Sequence, residues 1–193
     1  QDINTPDCWI RRHDKLVRLT GQHPFNSEPE LSSLEECGMI TSSSLHFVRN
    51  HGAVPELRWD THAITLAEDL NKKKNKIKTF KMDDIAKMPR VTKAVLLVCA
   101  GNRRKEQNMK RKTIGFNWGA AGVSNSLWTG VPLRELLRRF GYTAQNLESS
   151  SSENLFVCFE GPEEELPKGD KGTYGTSIPL HKALDPSQDI MIA

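Results

Sequence analysis

Residues 94–109, AVLLVCAGNRRKEQNM, carry a single thiol from an apolar run into an abrupt polar turn. A lone cysteine at the end of a strand is ordinarily core filler, since free cysteine is among the most buried residue types. Three features of Cys99 point to chemistry instead. It stands where the chain is expected to leave a strand. The Ala-Gly-Asn that follows is small enough for a bulky ligand to approach the backbone. Arg103 and Arg104 come next, and cations stabilise the thiolate, the form that attacks or binds metal. Residues 47–52, FVRNHG, repeat the pattern: apolar Phe47 and Val48 deliver Arg49, Asn50 and His51 into a turn as donors for an anionic ligand. Taken alone, this second turn reads more readily as a solvated loop.

The third unusual stretch is KTIGFNWGAAGVSNSLWTGVPL, residues 112–133, dense in Gly, small residues and Trp. Each Gly inside a helix is destabilising by about 1 kcal/mol relative to Ala, so the stretch is expected to be a loop wrapped around something large and flat. Trp118 is a candidate for the wall of that loop, and Trp128 is expected in the core.

The elements that must position these groups follow from periodicity. TPDCWIRRHDKLVRL reads as a short helix or an extended arm. Short helices are expected over Ser32–Cys37, stopped by Gly38, over MDDIAKMP, ended before Pro89, and around Leu180–Leu184. Strands are expected at Leu45–Val48, Ala63–Ala67 and Lys76–Phe80. Lys93–Cys99 and NLFVCFEG read as apolar strands buried on both faces. Leu133, Leu136, Leu137 and Phe140 fall at helical spacing and Gly141 closes that helix. Strands and short helices without a regular βαβ alternation predict an α+β fold, with residues 1–193 as one domain or part of one.

Bulk properties narrow the function classes. The 193 residues are 37% hydrophobic and 26% charged, a soluble globular composition. No apolar stretch approaches the ~20 residues of a membrane helix, so no membrane partner is expected. The first residues hold no secretory h-region. Four cysteines at 8, 37, 99 and 158, without a CxxC, suit a reducing, cytoplasmic compartment and form no zinc cluster. A charge of +3, with lysines not interleaved by aromatics, argues against nucleic acid. The chain opens on Gln and closes on the apolar DIMIA, so it is expected to be a piece of a longer protein.

The motifs VCAGNRRKEQNM, IGFNWGAAGVSNSLWTGVPL, RLTGQHPFN and HFVRNHGAVP together resemble the molybdenum-cofactor domain of eukaryotic assimilatory nitrate reductases, in the sulfite oxidase superfamily. The resemblance runs from about Thr5 to the C-terminus. It implies a sulfite oxidase-type molybdopterin-binding fold, incomplete at the C-terminus. Cys99 would be the protein's single ligand to molybdenum, beside the two dithiolene sulfurs of molybdopterin. Phe47, Val48, Arg49, Asn50 and His51 match the cofactor-binding strand end. Arg49 and Arg104 match the guanidinium groups of the anion pocket, and Trp118 matches a residue of the nitrate pocket. Asn117 stands where sulfite oxidases carry an acidic residue, which favours nitrate as substrate. The resemblance further implies electrons from NAD(P)H through FAD and a b5-type haem on other domains, and a homodimer formed through a domain beyond residue 193. The competing readings are sulfite oxidation on the same fold and a non-catalytic anion- or nucleic-acid-binding module.

Overall fold

The computed structural model describes residues 3–21, 23–68, 76–143, 155–165 and 171–193. The lysine run at 72–74 and the serine loop at 149–152 lie outside these residues. β1 (Leu16–Arg18) pairs antiparallel with β2 (Ser27–Pro29), and α1 (Leu31–Glu36) and a single 3-10 turn at Ser43–Leu45 follow. β3 (Ala63–Ala67) and β4 (Ile77–Lys81) form an antiparallel pair leading into α2 (Met82–Ala86). Next come β5 (Val91–Val98), α3 (Arg104–Lys110), β6 (Val123–Pro132) and α4 (Leu133–Phe140). The described chain closes with β7 (Phe156–Glu165), β8 (Lys171–Pro179), α5 (Leu180–Leu184) and β9 (Met191–Ile192). β5, β6 and β9 form one sheet in that order, and β7 pairs with β8. Small open sheets with short helices are the α+β architecture expected from the sequence.

Four expectations need correction. Leu45–Val48 is not a strand. It is a 3-10 turn followed by one bridge from Val48 to Ser27, because the Phe47 N–H is taken by the Ser124 hydroxyl at 3.2 Å rather than by a ladder. β5 is not buried on both faces: it lies at the edge of its sheet, and Leu96 is 63% exposed. β7 is also covered on one side only, with Val157 and Phe159 packed inward and Phe156 and Cys158 exposed. The Gly-rich stretch is a loop only as far as Gly122, after which it becomes β6. A strand tolerates Gly130 because β9 passes so close: a Cβ there would lie 2.1 Å from the Ile192 carbonyl oxygen. No element is expected over Arg104–Lys110, yet α3 forms there from Arg-Lys-Glu-Gln-Asn-Met-Lys, which is rich in helix formers.

The chain divides into two compact units, each formed by three separated segments. One comprises Glu56–Thr92, Thr129–Gly161 and Gly175–Ala193 and holds the apolar cores. There α4 buries Leu136 against Phe80, Ile85, Met88 and Val131, and turns Leu133 and Leu137 toward Leu180, Ala183 and Leu184 of α5. Gly141, at φ +111°, ends α4 by donating to the Leu137 and Arg138 carbonyls. The other unit comprises Gln1–Pro55, Lys93–Trp128 and Pro162–Tyr174, and its interior is largely polar: Asp7, Asn26, Ser27, Glu28, Ser33, Thr41, Ser124 and Ser126 are all buried. The candidate site lies in this second unit.

The close pass of β9 predicts that Gly130→Ala destabilises the protein by about 1–3 kcal/mol through overpacking. Gly21→Ala, at a position with nothing within 4 Å of the new Cβ, is the control and leaves stability unchanged. Thermal or denaturant unfolding of the two variants checks this.

Candidate active site

Cys99 sits one residue beyond β5, at the start of a loop laced to a second loop by backbone hydrogen bonds. The Cys99 N–H donates to the Gly122 carbonyl at 2.9 Å, the Arg103 N–H to Gly119 at 2.7 Å and the Lys105 N–H to Trp118 at 2.9 Å. The Asn102 side-chain oxygen accepts from the Gly122 N–H at 3.0 Å, reinforcing the Cys99 end of this arch. Arg103 turns the chain into α3 in a left-handed conformation, φ 64°, and its guanidinium is held by Glu106. Both side chains of that ion pair are exposed, so Arg103 serves the turn rather than the thiol.

Gly101 joins the thiol to Arg104. Its N–H points at the Cys99 Sγ at 3.4 Å, and its missing Cβ would meet Arg104 Nη1 at 2.9 Å and Trp118 Cδ1 at 2.7 Å. On the other side of the indole, a Cβ at Gly122 would meet Trp118 Cε3 at 2.9 Å. Two glycines are therefore needed to let the backbone close on one tryptophan ring. Trp118 itself is 0% exposed, with its ring 6.0 Å from Phe47 in an edge-on arrangement and its Nε1 without a partner. As the chain stands, Trp118 is a packing core for the arch, and it offers no surface to a ligand.

The second wall is the turn at Arg49–His51. Asn26, fully buried, accepts from the Asn50 N–H at 2.8 Å and from Arg49 Nη1 at 3.2 Å through the same side-chain oxygen. The Asn50 side chain donates to the Phe25 carbonyl at 2.8 Å, so the turn is pinned from both directions. Arg49 Nη2 lies 3.3 Å from His51 Nδ1. The two walls meet at Phe116: the Arg49 guanidinium lies 5.2 Å from the centre of its ring, and Arg104 Nη1 donates to its carbonyl at 3.3 Å. Arg49 and Arg104, 55 positions apart in sequence, are thus gathered around one residue.

His51 stacks on Tyr174 of β8, with ring centroids 5.5 Å apart. Partial desolvation, and secondarily the Arg49 charge, hold the His51 pKa below its ordinary 6.5. The imidazole is therefore neutral at pH 7 and adds no third cation. Its contribution to stability is complete above pH 6.5 and is lost as the pH falls through the depressed value. Asn117 turns its side-chain oxygen to the Asn108 amide at 2.6 Å and so tethers the second loop to α3.

Several residues of this site carry no sequence signal of their own. Glu28 is buried, and its carboxylate accepts from the Gly119 N–H at 2.6 Å and the Ala121 N–H at 3.2 Å. Asp7, fully buried, accepts from the Phe25 N–H at 2.9 Å and the Val54 N–H at 3.2 Å, and pairs with His23 at 2.7 Å. Asn26 and Glu28 belong to HPFNSEP, whose first residues carried the resemblance without a role. Phe116 and Tyr174 are found only once the chain is folded.

Glu28→Gln leaves one acceptor where two backbone donors converge, and aims an amide N–H₂ at one of them. An unsatisfied buried N–H costs about 1–3 kcal/mol, and that is the expected loss of unfolding free energy. Denaturant unfolding tests it, and unchanged stability would contradict the clamp.

Comparison with known proteins identifies the family and the fold. Residues 51–193 match the oxidoreductase molybdopterin binding domain family. Over its full length the chain is 48% identical to the NADH nitrate reductase of Volvox carteri, and 50% identical to the NADH nitrate reductase 1 proteins of Oryza sativa and Arabidopsis thaliana. It spans 21%, 20% and 20% of those proteins, about a fifth of the length of the curated relatives it matches. Among solved structures, the sulfane dehydrogenase SoxCD of Paracoccus pantotrophus superposes with a TM-score of 0.61 at 22% identity, covering 93% of this chain and 43% of that one, so the fold is shared. The chain belongs to the oxidoreductase molybdopterin binding domain family.

Proposed function

We propose that residues 1–193 form part of the molybdenum-cofactor domain of an assimilatory nitrate reductase and that the protein reduces nitrate to nitrite. The observation that carries this reading is the convergence of Arg49 and Arg104 on Phe116, with Arg104 and the Cys99 thiol sharing Gly101. The full-length similarity to NADH nitrate reductases supports nitrate as the anion and NADH as the electron source. Electrons would arrive through FAD and b5-type haem domains outside this chain, in a homodimer formed through a further domain. Among the described residues no helix is long and apolar enough to cross a membrane, and all four cysteines are free, which supports a cytoplasmic setting.

The residues present fit a molybdopterin-bound metal. Among the described residues no three His, Cys, Asp or Glu side chains are grouped to hold a metal unaided, whereas Cys99 offers one soft sulfur at a loop start. Soft thiolate ligands suit such a metal, and coordination keeps the sulfur deprotonated. When bound, the cofactor supplies two-electron oxygen-atom transfer. The chain's own residues do the rest: Cys99 holds the metal, and Phe47, Val48, Asn50 and His51 line the cofactor. Arg49 and Arg104 receive the substrate. Nitrate is planar and accepts hydrogen bonds without donating any, so paired guanidinium N–H groups match it better than ammonium groups. Donors already fixed by Asn26 and by the Phe116 carbonyl need little reorganisation as charge shifts on the anion. Trp118 supports both loops from behind, in contact with Gly101 and Gly122.

Cys99→Ser replaces a soft ligand with a hard one, and nitrate turnover should fall by about a hundredfold or more in the folded protein. Cys8→Ser, Cys37→Ser and Cys158→Ser should keep activity. Arg104→Lys retains charge but loses the planar fork, so the KM for nitrate should rise about tenfold with molybdenum content unchanged. The assay supplies the full-length protein with an artificial reductant and nitrate, and in parallel with sulfite and an electron acceptor. Faster turnover of sulfite would contradict the nitrate reading and leave the Cys99 assignment standing.

A further inference from the structure

Asn26 lies in the one motif that carried the family resemblance without receiving a task. We infer that Asn26 is a positioning residue for the substrate anion, a neutral acceptor that fixes the direction of the Arg49 guanidinium while leaving its positive charge available. The inference rests on the nitrate reading above.

Both lone pairs of the Asn26 oxygen are in use, one on the Asn50 N–H at 2.8 Å and one on Arg49 Nη1 at 3.2 Å. The other end of the amide is anchored, since Nδ2 donates to the Pro24 carbonyl at 3.1 Å. The Asn26 carbonyl accepts the Leu19 N–H at 2.9 Å, so the residue is held by backbone as well. Asn26 is 0% exposed, whereas Arg49 is half-buried and reaches Phe116 and His51. One guanidinium N–H is thereby tied to a rigid, buried atom and the remainder of the fork is given a fixed orientation. The Asn50 carbonyl takes a further contact from the same Nη1, which keeps that nitrogen turned inward.

The neutrality of the amide matters as much as its oxygen. A carboxylate in this position would form an ion pair with Arg49 and offset the charge that attracts an anion. An aliphatic residue would leave the Asn50 N–H without its acceptor and let the guanidinium swing. Packing alone makes neither demand: a purely structural Asn26 would reveal itself through stability and cofactor content, with nitrate affinity untouched.

The test compares Asn26→Leu and Asn26→Asp in the full-length holoenzyme, driven by an artificial reductant. It reads the KM and kcat for nitrate, the molybdenum content, and hydrogen exchange in the peptide carrying the Asn50 amide. Both variants should raise the KM about tenfold while kcat at saturating nitrate changes by less than about threefold. Exchange at Asn50 should accelerate in Asn26→Leu and remain slow in Asn26→Asp, which keeps an acceptor. An unchanged KM in either folded variant, or losses of activity that track molybdenum content alone, would overturn the inference. If Asn26→Leu does not fold, Asn26→Asp decides. If the wild-type protein reduces no nitrate, the functional reading fails by itself, and unaltered Asn50 exchange in Asn26→Leu then overturns the positioning role.

Discussion

The site depends on backbone N–H groups that are satisfied by buried side chains instead of by a sheet. Gly119 and Ala121 donate to Glu28, Asn50 donates to Asn26, and Phe25 and Val54 donate to Asp7. Three polar side chains near the N-terminus thus fix the loops that carry Arg49 and Trp118. A buried amide left without a partner costs more than one hydrogen bond contributes, so each clamp is hard to release. This explains a unit whose interior is rich in Ser, Thr, Asn and carboxylates. Its order comes from directed bonds, which hold irregular loops to fixed positions as a purely apolar core does not.

The two compact units divide the work accordingly. The apolar clusters around α4 and α5 supply burial of hydrophobic surface and contain none of the candidate site residues. The other unit holds the half-buried Cys99 thiol, the Arg49 and Arg104 guanidinium groups and the His51 imidazole, the groups on which the proposed nitrate site rests. Its glycines at 101 and 122 serve close approach: any side chain there would run into the Trp118 indole.

Much of this was legible in the sequence, and what was missed follows a pattern. Local signals held well. Ala63–Ala67 is the strand its short apolar run suggests, and Leu133–Phe140 repeats at helical spacing between Pro132 and Gly141. Failures arose where tertiary contacts override local preference. β5 reads as doubly buried because all its residues from Ala94 to Val98 are apolar, yet its burial depends on neighbours that its own composition does not reveal. A glycine weakens a strand interior, yet Gly130 is the residue that lets β9 approach. Among the candidate residues, Cys99, Arg49 and Arg104 announced themselves by type and by their place at the ends of apolar runs. Trp118 was legible as important, but its complete burial was not. Asn26, Glu28 and Phe116 stayed hidden because their partners lie from 12 to 93 positions away.

The central claim is that the Cys99 thiolate is the protein's one bond to a cofactor-held metal. X-ray absorption at the molybdenum edge tests it most directly, since it counts the sulfurs bound to the metal without reference to turnover. In the full-length protein the metal should show three sulfur neighbours, two from the cofactor and one from Cys99. In Cys99→Ser, loaded with molybdenum, the count should fall to two with an oxygen or nitrogen neighbour gained. An unchanged sulfur shell in that variant would contradict the assignment.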